Sequence, residues 1–503
     1  MKMRLLHPFI FFLTVLFVTS VFATDAPQFG IDQGRNRISE ETNLPVSFHP
    51  GRIDSASGNI VDTGANVRWA VRIGTKTYTP PVIADGRVLI GTNNEAQFDP
   101  NLDGDYGVML CLDEQTGEFR WQYAVPKITD IPYADTPHIG ITSVPLVRDG
   151  IVYFVDNRGT VCALHLSDGS AKWTLDLVET FGIRLHDANN CSIVIHEDIL
   201  FVATGNGQDA RHYDVERPEA PSLVVLDVET GTPLARDDDW LKTGIAHGQW
   251  CSPSLGNVKQ ADGTVVPTLF FALGNGMLHS VNVQRLRQQL PAPPEDAGQY
   301  GSALFKIQAD WTFNGNGAEA LGEDRPFQQG RGSASYCCLS PPVFVDNWLY
   351  LLFCYDFSTG ARPLRAFLTA LDPTLPPEAP AASRLLWKTP NIEDGAFAPQ
   401  AVFDGLVYFG DRNGVFYCLD AQSGEMVWKM DLRGEHWGGP LVADGKIYIG
   451  TSRRMFYVLQ AGREAKVLAE IEMPGAMFAG ATAANGTLFI PGDGFLYAVE
   501  GAR

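Results

Sequence analysis

The amino-acid sequence predicts an all-β protein, an eight-bladed β-propeller with four-stranded antiparallel blades and tryptophan-docking motifs. One observation is a repeated spacing: Asp113, Gly117 and Trp121 in "LCLDEQTGEFRWQY" have counterparts in "FYCLDAQSGEMVWKMD" at residues 416–431. A second is the pattern between these turns, where runs rich in β-branched and aromatic residues alternate with turns that contain glycine. A four-strand unit repeated along a chain is typical of propeller blades.

The repeated units follow one another along the chain. Successive units cover residues 79–121, 143–173, 192–235, 251–311, 339–387, 398–430 and 438–468. The eighth, "GATAANGTLFIPGDGFLYAVEGAR", has only three strands, and we expect Asn66–Gly74 to supply the fourth and close the ring without exposed strand edges. Two units contain insertions, one at Gln284–Gly301, where a short helix is expected, and a proline-rich one at Pro373–Pro380.

The repeated acid, glycine and indole are assigned a structural role. In the turn between the third and fourth strands, Asp accepts hydrogen bonds from backbone amides, Gly adopts a left-handed conformation and Trp lies across the neighbouring blade. Asp420, Gly424 and Trp428 form the second complete copy, whereas the unit with Asp227 and Gly231 lacks the Trp. The spacing therefore predicts contacts between blades and not a catalytic site.

The first 23 residues have the pattern of an export signal. Lys2 and Arg4 precede an apolar run over residues 5–21, and Ala23 offers the small residue that signal peptidase prefers. We expect cleavage after Ala23; an uncleaved membrane anchor is the alternative, because the run is nearly long enough to span a bilayer. The predicted organisation is a signal peptide at 1–23, an N-terminal extension at 24–65 and the eight-bladed propeller at 66–503, exported to the periplasm or the extracellular space.

Composition argues against some partners and cofactors. The 503 residues contain 38 Lys and Arg against 58 Asp and Glu, a net charge of −20 that repels phosphate backbones, so no nucleic-acid partner is expected. No CxxCH motif for covalent haem attachment occurs, and eight cysteines are too few for a disulfide framework. After cleavage we expect a monomer without a transmembrane segment.

Several segments resemble a known family. "GVMLCLDEQTGEFRWQ", "HGQWCSPSLG", "HWGGPLVADGKIYIGT" and "AANGTLFIPGDGFLYAV" are similar to the repeats of pyrroloquinoline-quinone (PQQ) propellers. This family contains quinoprotein dehydrogenases and non-enzymatic relatives such as BamB, the outer-membrane assembly lipoprotein, and the similarity is greatest to an exported planctomycete-type group. The resemblance implies the fold and leaves the function open, because one scaffold serves enzymes and binding proteins.

The resemblance also implies a cofactor site. PQQ dehydrogenases hold calcium and the quinone with acidic and amide residues and stack the quinone on a Trp, often against a disulfide between adjacent cysteines. Trp250 and the pair Cys337-Cys338 invite the comparison, but no matching calcium-binding set is found in the sequence. BamB is lipid-anchored, whereas no cysteine precedes Cys111 in this sequence.

Loops that lead into the innermost strand of each blade converge on one mouth of the central channel, where a ligand or partner is expected. The candidate ligand-binding residues lie in these loops: His138, His186, Asp187, Asn190, His247, Gln249, Trp250, Tyr336, Cys337, Cys338, His436 and Trp437. Tyr78, Phe397 and Phe478 are the corresponding aromatic residues of other blades. No catalytic residue or metal ligand is assigned, because histidines from different blades are not expected to meet at one point.

The leading functional hypothesis is an exported, non-catalytic binding or scaffold propeller that engages an envelope protein, a glycan or a small molecule at the channel mouth. The alternative is a PQQ- and calcium-dependent quinoprotein dehydrogenase of alcohols or sugars. The first hypothesis needs no cofactor. A mouth that binds nothing specific stays open as a further alternative, as does the choice between a disulfide and two thiols for Cys337-Cys338.

Overall fold

The computed structural model describes residues 24–242, 244–246, 248–290, 304–329, 334–356 and 365–501. In this part of the chain eight antiparallel sheets form the blades of a propeller, which confirms the predicted fold class and blade number. The predicted signal peptide at 1–23 and the candidate residue His247 lie outside the described residues. None of the helices in these ranges is both long enough and apolar enough to cross a membrane.

Each blade has an inner strand, two middle strands and an outer strand. Blades 1 to 4 consist of Val82–Ala84, Arg87–Asn93, Tyr106–Asp113 and Phe119–Pro126; Leu146–Arg148, Ile151–Val155, Thr160–His165 and Ala171–Asp176; Val194–His196, Ile199–Ala203, Leu223–Asp227 and Pro233–Asp237; and Ser254–Lys259, Val265–Ala272, Met277–Asn282 and Trp311–Asn314. Blades 5 to 8 consist of Val343–Val345, Trp348–Tyr355, Ala366–Leu371 and Leu385–Ile392; Ala401–Phe403, Leu406–Gly410, Val415–Asp420 and Met426–Asp431; Leu441–Ala443, Lys446–Gly450, Met455–Gln460 and Val467–Glu472; and Thr482–Ala484, Thr487–Gly492, Phe495–Glu500 and Val67–Arg72.

A few short elements lie outside this scheme. The additional strands are Ile38–Ser39, Arg52–Ile53, Ile60–Val61, Phe305–Ile307 and Tyr336–Cys337. The helices are the 3-10 segment Asn94–Ala96 and the α-helices Leu177–Phe181, Val283–Gln289, Ala318–Leu321 and Ala381–Arg384. The helix at 283–289 confirms the helix expected in the insertion at 284–301, of which residues 291–303 lie outside the described part.

The core lies between neighbouring blades. Middle strands such as Ile151–Val155 and Leu406–Gly410 are buried at every residue, because both faces of a blade pack against the adjacent blades. Such strands are near-continuous apolar runs, since neither face meets water.

The ring closes as the sequence predicts. Strand Val67–Arg72 pairs antiparallel with Phe495–Glu500, so the two ends of the propeller share blade 8. Trp69 then packs on Gly117 of blade 1, and its Nε1 donates to the Glu114 carbonyl oxygen at 2.9 Å. The last blade is therefore joined to the first through the same docking contact that the repeat predicts elsewhere.

The docking turns hold neighbouring blades together. Trp121 of blade 1 lies on Gly169 of blade 2, where φ is +73° and an added Cβ would be 2.6 Å from the indole, and its Nε1 donates to the Leu166 carbonyl oxygen at 2.9 Å. Asp113 accepts two backbone N–H bonds at 3.0 Å, as expected for this turn. The same indole-on-glycine contact joins Trp173 to Gly231 and Trp387 to Gly424.

Blade 3, which lacks the docking tryptophan, is covered in another way. Its outer strand Pro233–Asp237 pairs in parallel with Phe305–Ile307, a strand of the insertion in blade 4. This fifth strand covers an edge that would otherwise expose unpaired backbone groups.

The N-terminal extension crosses the central channel. Residues 26–39, here called the channel segment, are hydrogen-bonded to the inner strand of every blade. The contacts in order of blade join Ala26 to Ile83, Pro27 to Val147, Gln33 to Ile195 and to Leu255, Gly34 to Phe344, Asn36 to Val402, Arg37 to Val442 and Ser39 to Ala483. Because these strands line the channel, a segment bonded to all of them lies inside it.

Candidate functional site

In all eight blades, one position in the loop that leads into the inner strand lines the central cavity. It lies four residues before the inner strand, as Phe397 lies before Ala401. The eight residues at this position, here called the mouth position, are Tyr78, Thr142, Asn190, Trp250, Leu339, Phe397, Trp437 and Phe478. The residues one step earlier are all buried: Thr77, Ile141, Asn189, Gln249, Cys338, Ala396, His436 and Met477. This alternation is that of a chain whose successive side chains point to opposite sides.

Five of the mouth positions carry aromatic side chains, which form a continuous set here called the aromatic arc. Trp250 and Phe397 have ring centroids 6.0 Å apart, and Phe397 stacks on Trp437 at 4.5 Å with an interplanar angle of 16°. Phe478 meets Trp437 edge-on at 5.8 Å and lies 5.5 Å from Tyr78. The arc therefore offers a preorganised, half-buried aromatic surface contributed by blades 4, 6, 7, 8 and 1.

The opposite side of the mouth is polar. Thr136 Oγ1 donates to Asp187 Oδ1 at 2.7 Å, and Asn190 Nδ2 donates to the Asp187 backbone carbonyl oxygen at 3.3 Å. Asp187 has φ of +56°, so the loop of blade 3 turns sharply at this residue. The side chains of all three residues line the cavity and place a carboxylate across from the aromatic arc.

The channel segment forms the floor of the cavity. Phe29 and Arg37 line the cavity there, and its volume is about 320 Å³. Because the segment is bonded to every inner strand, the cavity is a blind funnel that opens at the mouth. Its volume lies at the lower end of the range for small-molecule sites.

Two candidate histidines lie away from the cavity. His138 is exposed, with its Nδ1 2.8 Å from Glu95 Oε1 and its backbone N–H donating to Asp105 Oδ2 at 2.7 Å. His436 is buried, with ring nitrogens 3.4 and 3.3 Å from the carbonyl oxygens of Gly450 and Gly414. Burial lowers the pKa of His436 to about 4, so its imidazole is neutral at neutral pH.

His186 contacts a second histidine, His212. Its Nε2 lies 2.9 Å from the Nε2 of His212, and Tyr133 stacks on the His186 ring at 6.1 Å. The distance from His186 Nε2 to Asp187 Oδ2 is 3.8 Å, which is beyond hydrogen-bond length. His212 lies in a blade 3 insertion that has no counterpart in the repeat, so no sequence signal pointed to it.

Other candidates have structural environments. Gln249 Nε2 donates to the Ala272 carbonyl oxygen at 3.0 Å, and Tyr336 packs on Tyr355 with centroids 4.6 Å apart. All eight cysteines are free and buried. Cys337 Sγ lies 3.2 Å from a backbone carbonyl oxygen, that of Cys354, and neither member of the adjacent pair lines the cavity. Of the eleven candidates that the structure describes, Asp187, Asn190, Trp250 and Trp437 line the cavity.

The residues that line the cavity match only part of the PQQ and calcium site that is expected for a quinoprotein dehydrogenase. Trp250 faces the cavity, as stacking on a quinone requires, and its Nε1 donates to the His186 carbonyl oxygen at 3.3 Å. The adjacent cysteines do not form the opposite face of such a sandwich. Calcium takes about six to eight oxygen ligands, and among the described residues no three His, Cys, Asp or Glu side chains are grouped to hold a metal. The residues present therefore do not fit the complete cofactor site.

Comparison with known proteins identifies the family. The family described as outer membrane protein assembly factor BamB matches residues 53–244 and 371–494, which is more than half of the chain. The chain belongs to this family. BamB of Yersinia pestis is 25% identical over 287 residues, covering 44% of this chain and 72% of that protein.

Two further relatives show how far the similarity extends. The crystal structure of BamB from Moraxella catarrhalis has a TM-score of 0.54 and 13% identity over 86% of this chain and 97% of that one, which supports the shared fold. Quinohemoprotein alcohol dehydrogenase ADH-IIG of Pseudomonas putida is 28% identical over 148 residues, covering 25% of this chain and only 18% of that enzyme. The BamB-family scaffold is thus shared more extensively than the enzyme sequence.

Proposed function

We propose that this protein is an exported, non-catalytic binding propeller that engages an envelope partner at the mouth of its central cavity. The observation that carries this proposal is the aromatic arc, because five blades place an aromatic side chain at the same position. Aromatic side chains provide large contact areas at low cost in conformational entropy and are enriched in binding hot spots. Membership of the BamB family supports a binding role, since that family is described by assembly and not by a reaction.

The partner class follows from the same surface. A protein partner can insert apolar side chains between the aromatic rings, and a glycan can stack sugar faces on them. The family description favours a protein. We propose a protein of the cell envelope as the partner, with glycans as the other outcome of the test below.

The experiment is affinity capture from an envelope fraction with three forms of the protein. The double variant Trp437→Ala/Phe478→Ala removes the centre of the arc. Phe403→Ala is the matched control, because Phe403 is an exposed aromatic residue at the far end of the blade 6 inner strand. We expect wild type and the control to retain the same partner and the double variant to lose it. A partner retained equally by all three forms would rule out the mouth as the binding surface.

The second candidate, a PQQ-dependent dehydrogenase, is favoured by one observation, the position of Trp250 in the cavity. PQQ supplies hydride-accepting quinone chemistry when bound. Titration with PQQ and calcium, followed by absorbance and thermal unfolding, distinguishes the two functions, because a ligand of the folded state raises the melting temperature. A saturable shift that Trp250→Ala removes, together with turnover of an alcohol or sugar, would replace the binding proposal.

A further inference from the structure

The floor of the cavity contains an arginine with unused hydrogen-bonding capacity. Arg35 of the channel segment donates to three backbone carbonyl oxygens at 2.9 to 3.1 Å. Arg37, two residues later, donates from Nη2 to the Ala481 carbonyl oxygen at 2.5 Å, but its Nε is buried without a hydrogen-bond partner. Arg35 thus joins blades 3 and 4, whereas Arg37 lines the cavity and has one donor, Nε, without a hydrogen bond.

The charge of Arg37 also lacks a counter-ion. Only 3% of the residue is exposed, and among the described residues no carboxylate forms an ion pair with it. Burial lowers the pKa of Arg37 to about 10, which leaves the guanidinium charged at neutral pH. Besides its hydrogen bond to the Ala481 carbonyl oxygen, the guanidinium lies over the Phe29 ring, whose centroid is 5.5 Å from Cζ. A desolvated and unpaired charge is unfavourable, so an anion in the cavity would stabilise this arrangement.

The space beside the guanidinium is kept open by glycine. A Cβ on Gly480 would lie 2.7 Å from Arg37 Nη2, and a Cβ on Gly439 would lie 3.6 Å from its Cγ. Both glycines line the cavity. The guanidinium therefore lies against bare backbone at the bottom of a narrow funnel, where a small molecule fits and the broad surface of a protein does not.

The other lining residues restrict the kind of anion. The aromatic arc lies above Arg37 and suits an apolar or aromatic body. Asp187 is the only other charged residue among those that line the cavity in the described part of the chain. Its carboxylate repels anions, and this repulsion grows with the charge of the ligand, which favours a monoanion over a phosphate monoester.

We propose that the central cavity binds a small organic monocarboxylate, with its apolar body on the aromatic arc and its carboxylate on the Arg37 guanidinium. This inference rests on the proposed binding function of the mouth and adds the chemical class of a ligand below it. A guanidinium pairs with a carboxylate through parallel N–H bonds, and such charge-assisted bonds are stronger than neutral ones.

The test is calorimetric titration of the purified protein with matched acids and amides. The probes are 3-phenylpropionate and indole-3-acetate, each compared with its primary amide, together with phenyl phosphate and inorganic phosphate. We expect each acid to bind at least about tenfold more tightly than its amide, because the amide cannot form the charged pair. Equal affinities of acid and amide, inorganic phosphate as tight as the acids, or no binding of either acid at millimolar concentration would overturn the proposal.

Variants locate the anion. Arg37→Met should bring the acid and its amide to similar affinity, and Arg37→Lys should retain part of the preference. Arg52→Met is the matched control, because Arg52 belongs to the same N-terminal extension and its side chain is 66% exposed. An acid preference that persists in Arg37→Met contradicts the assignment. If Arg37→Met does not fold, the acid and amide comparison on wild type decides alone.

Failure of this inference is distinguishable from failure of the mouth as a binding site. If acids and amides bind equally and Trp437→Ala weakens both, the mouth binds ligands and only the role of Arg37 is wrong. If no probe binds and envelope capture is also unaffected by Trp437→Ala/Phe478→Ala, both proposals fail.

Discussion

Tryptophan has different roles at the mouth of this propeller and at its rim, the name used here for the docking turns between the third and fourth strands of the blades. At the rim, Trp121 is 6% exposed, lies on Gly169 of the next blade and donates to a backbone carbonyl oxygen there. At the mouth, Trp437 is half-buried, stacks on another aromatic ring and donates to Glu435 Oε2 of its own loop at 2.5 Å. The rim tryptophan joins blades, whereas the mouth tryptophan belongs to a surface that faces the cavity. The repeat thus specifies the fold through its regular positions, and the proposed binding surface uses a position whose residue varies between blades.

Removing each indole in turn tests whether the two tryptophans have different roles. Trp121→Ala should lower the free energy of unfolding by about 3–5 kcal/mol, because a large buried side chain and its hydrogen bond are lost. Trp437→Ala should lower it by about 1 kcal/mol or less, since its surface is already partly in water. Chemical denaturation followed by circular dichroism measures both. Equal losses would show that the mouth is as structural as the rim.

The dependence of the unfolding free energy on pH tests whether His436, the buried residue next to Trp437, has a structural role. The pKa of His436 is lowered from 6.5 to about 4 by burial. Below pH 6.5 the unfolded chain binds a proton that the folded protein does not, so stability falls as the pH drops from 6.5 towards 4, by about 3 kcal/mol in total from this residue.

The comparison of His436→Gln with wild type isolates this contribution. Burial raises the pKa of Asp411 from 3.8 to about 6. The protonated Asp411 therefore stabilises the folded protein at low pH, and this stabilisation is lost as the pH rises from 3.8 to 6, which is opposite to the effect of His436. The unfolding free energy at pH 7 minus that at pH 4.5 should be lower by about 2 kcal/mol in His436→Gln than in wild type. The exposed His138→Gln should retain the wild-type difference, and a His436→Gln protein with the full wild-type difference would contradict the assignment.

Glycine substitutions separate backbone strain from docking at the rim. Gly169 and Gly86 both have φ of +73°, but only Gly169 carries an indole, and a Cβ on Gly86 meets nothing within 4 Å. Gly86→Ala should cost about 1 kcal/mol from left-handed backbone strain, and Gly169→Ala about 2–3 kcal/mol more because Trp121 is displaced. Thermal unfolding of the two variants measures the difference. Equal melting temperatures would show that the contact of Trp121 with Gly169 does not stabilise the protein.

The two arginines of the channel segment allow a similar comparison between a structural residue and a cavity residue at the floor of the cavity. Arg35→Met should lower the free energy of unfolding by about 2 kcal/mol, because three buried carbonyl oxygens lose their donor. Arg37→Met should change it by less than about 1 kcal/mol, since relief of an unpaired buried charge offsets the loss of one hydrogen bond. Urea unfolding of both variants tests this order, and a larger loss for Arg37→Met would show that Arg37 has a structural role.

Much of the fold could be predicted from the sequence because the repeat is local. The unit expected at residues 398–430 is found as blade 6, and Val67–Arg72 closes the ring as expected. Each blade packs mainly on its neighbours, so spacing along the chain determines most contacts. The pairing of Val67–Arg72 with Phe495–Glu500 is the clearest long-range contact that the repeat predicts.

The candidate site was predictable only where it follows the blade pattern. The aromatic residues at the mouth position could be identified because each lies at a fixed distance before an inner strand. Among the described residues, the histidines at other positions of these loops do not line the cavity: His436 is buried one residue before the mouth position, and His138 is exposed. Arg37 carries no sequence signal, because its contacts with Gly439 and Gly480 depend on how the extension passes through the channel.

Site-specific photocrosslinking in the native envelope tests whether the mouth is the surface that binds the partner. A benzophenone amino acid placed at position 437 lies on the aromatic arc, and the same group at position 403 lies at the far end of an inner strand. A discrete crosslinked partner is expected from position 437 and none from position 403. Adducts of equal yield from both positions, or an adduct from position 403 alone, would contradict the claim that the mouth is the binding surface.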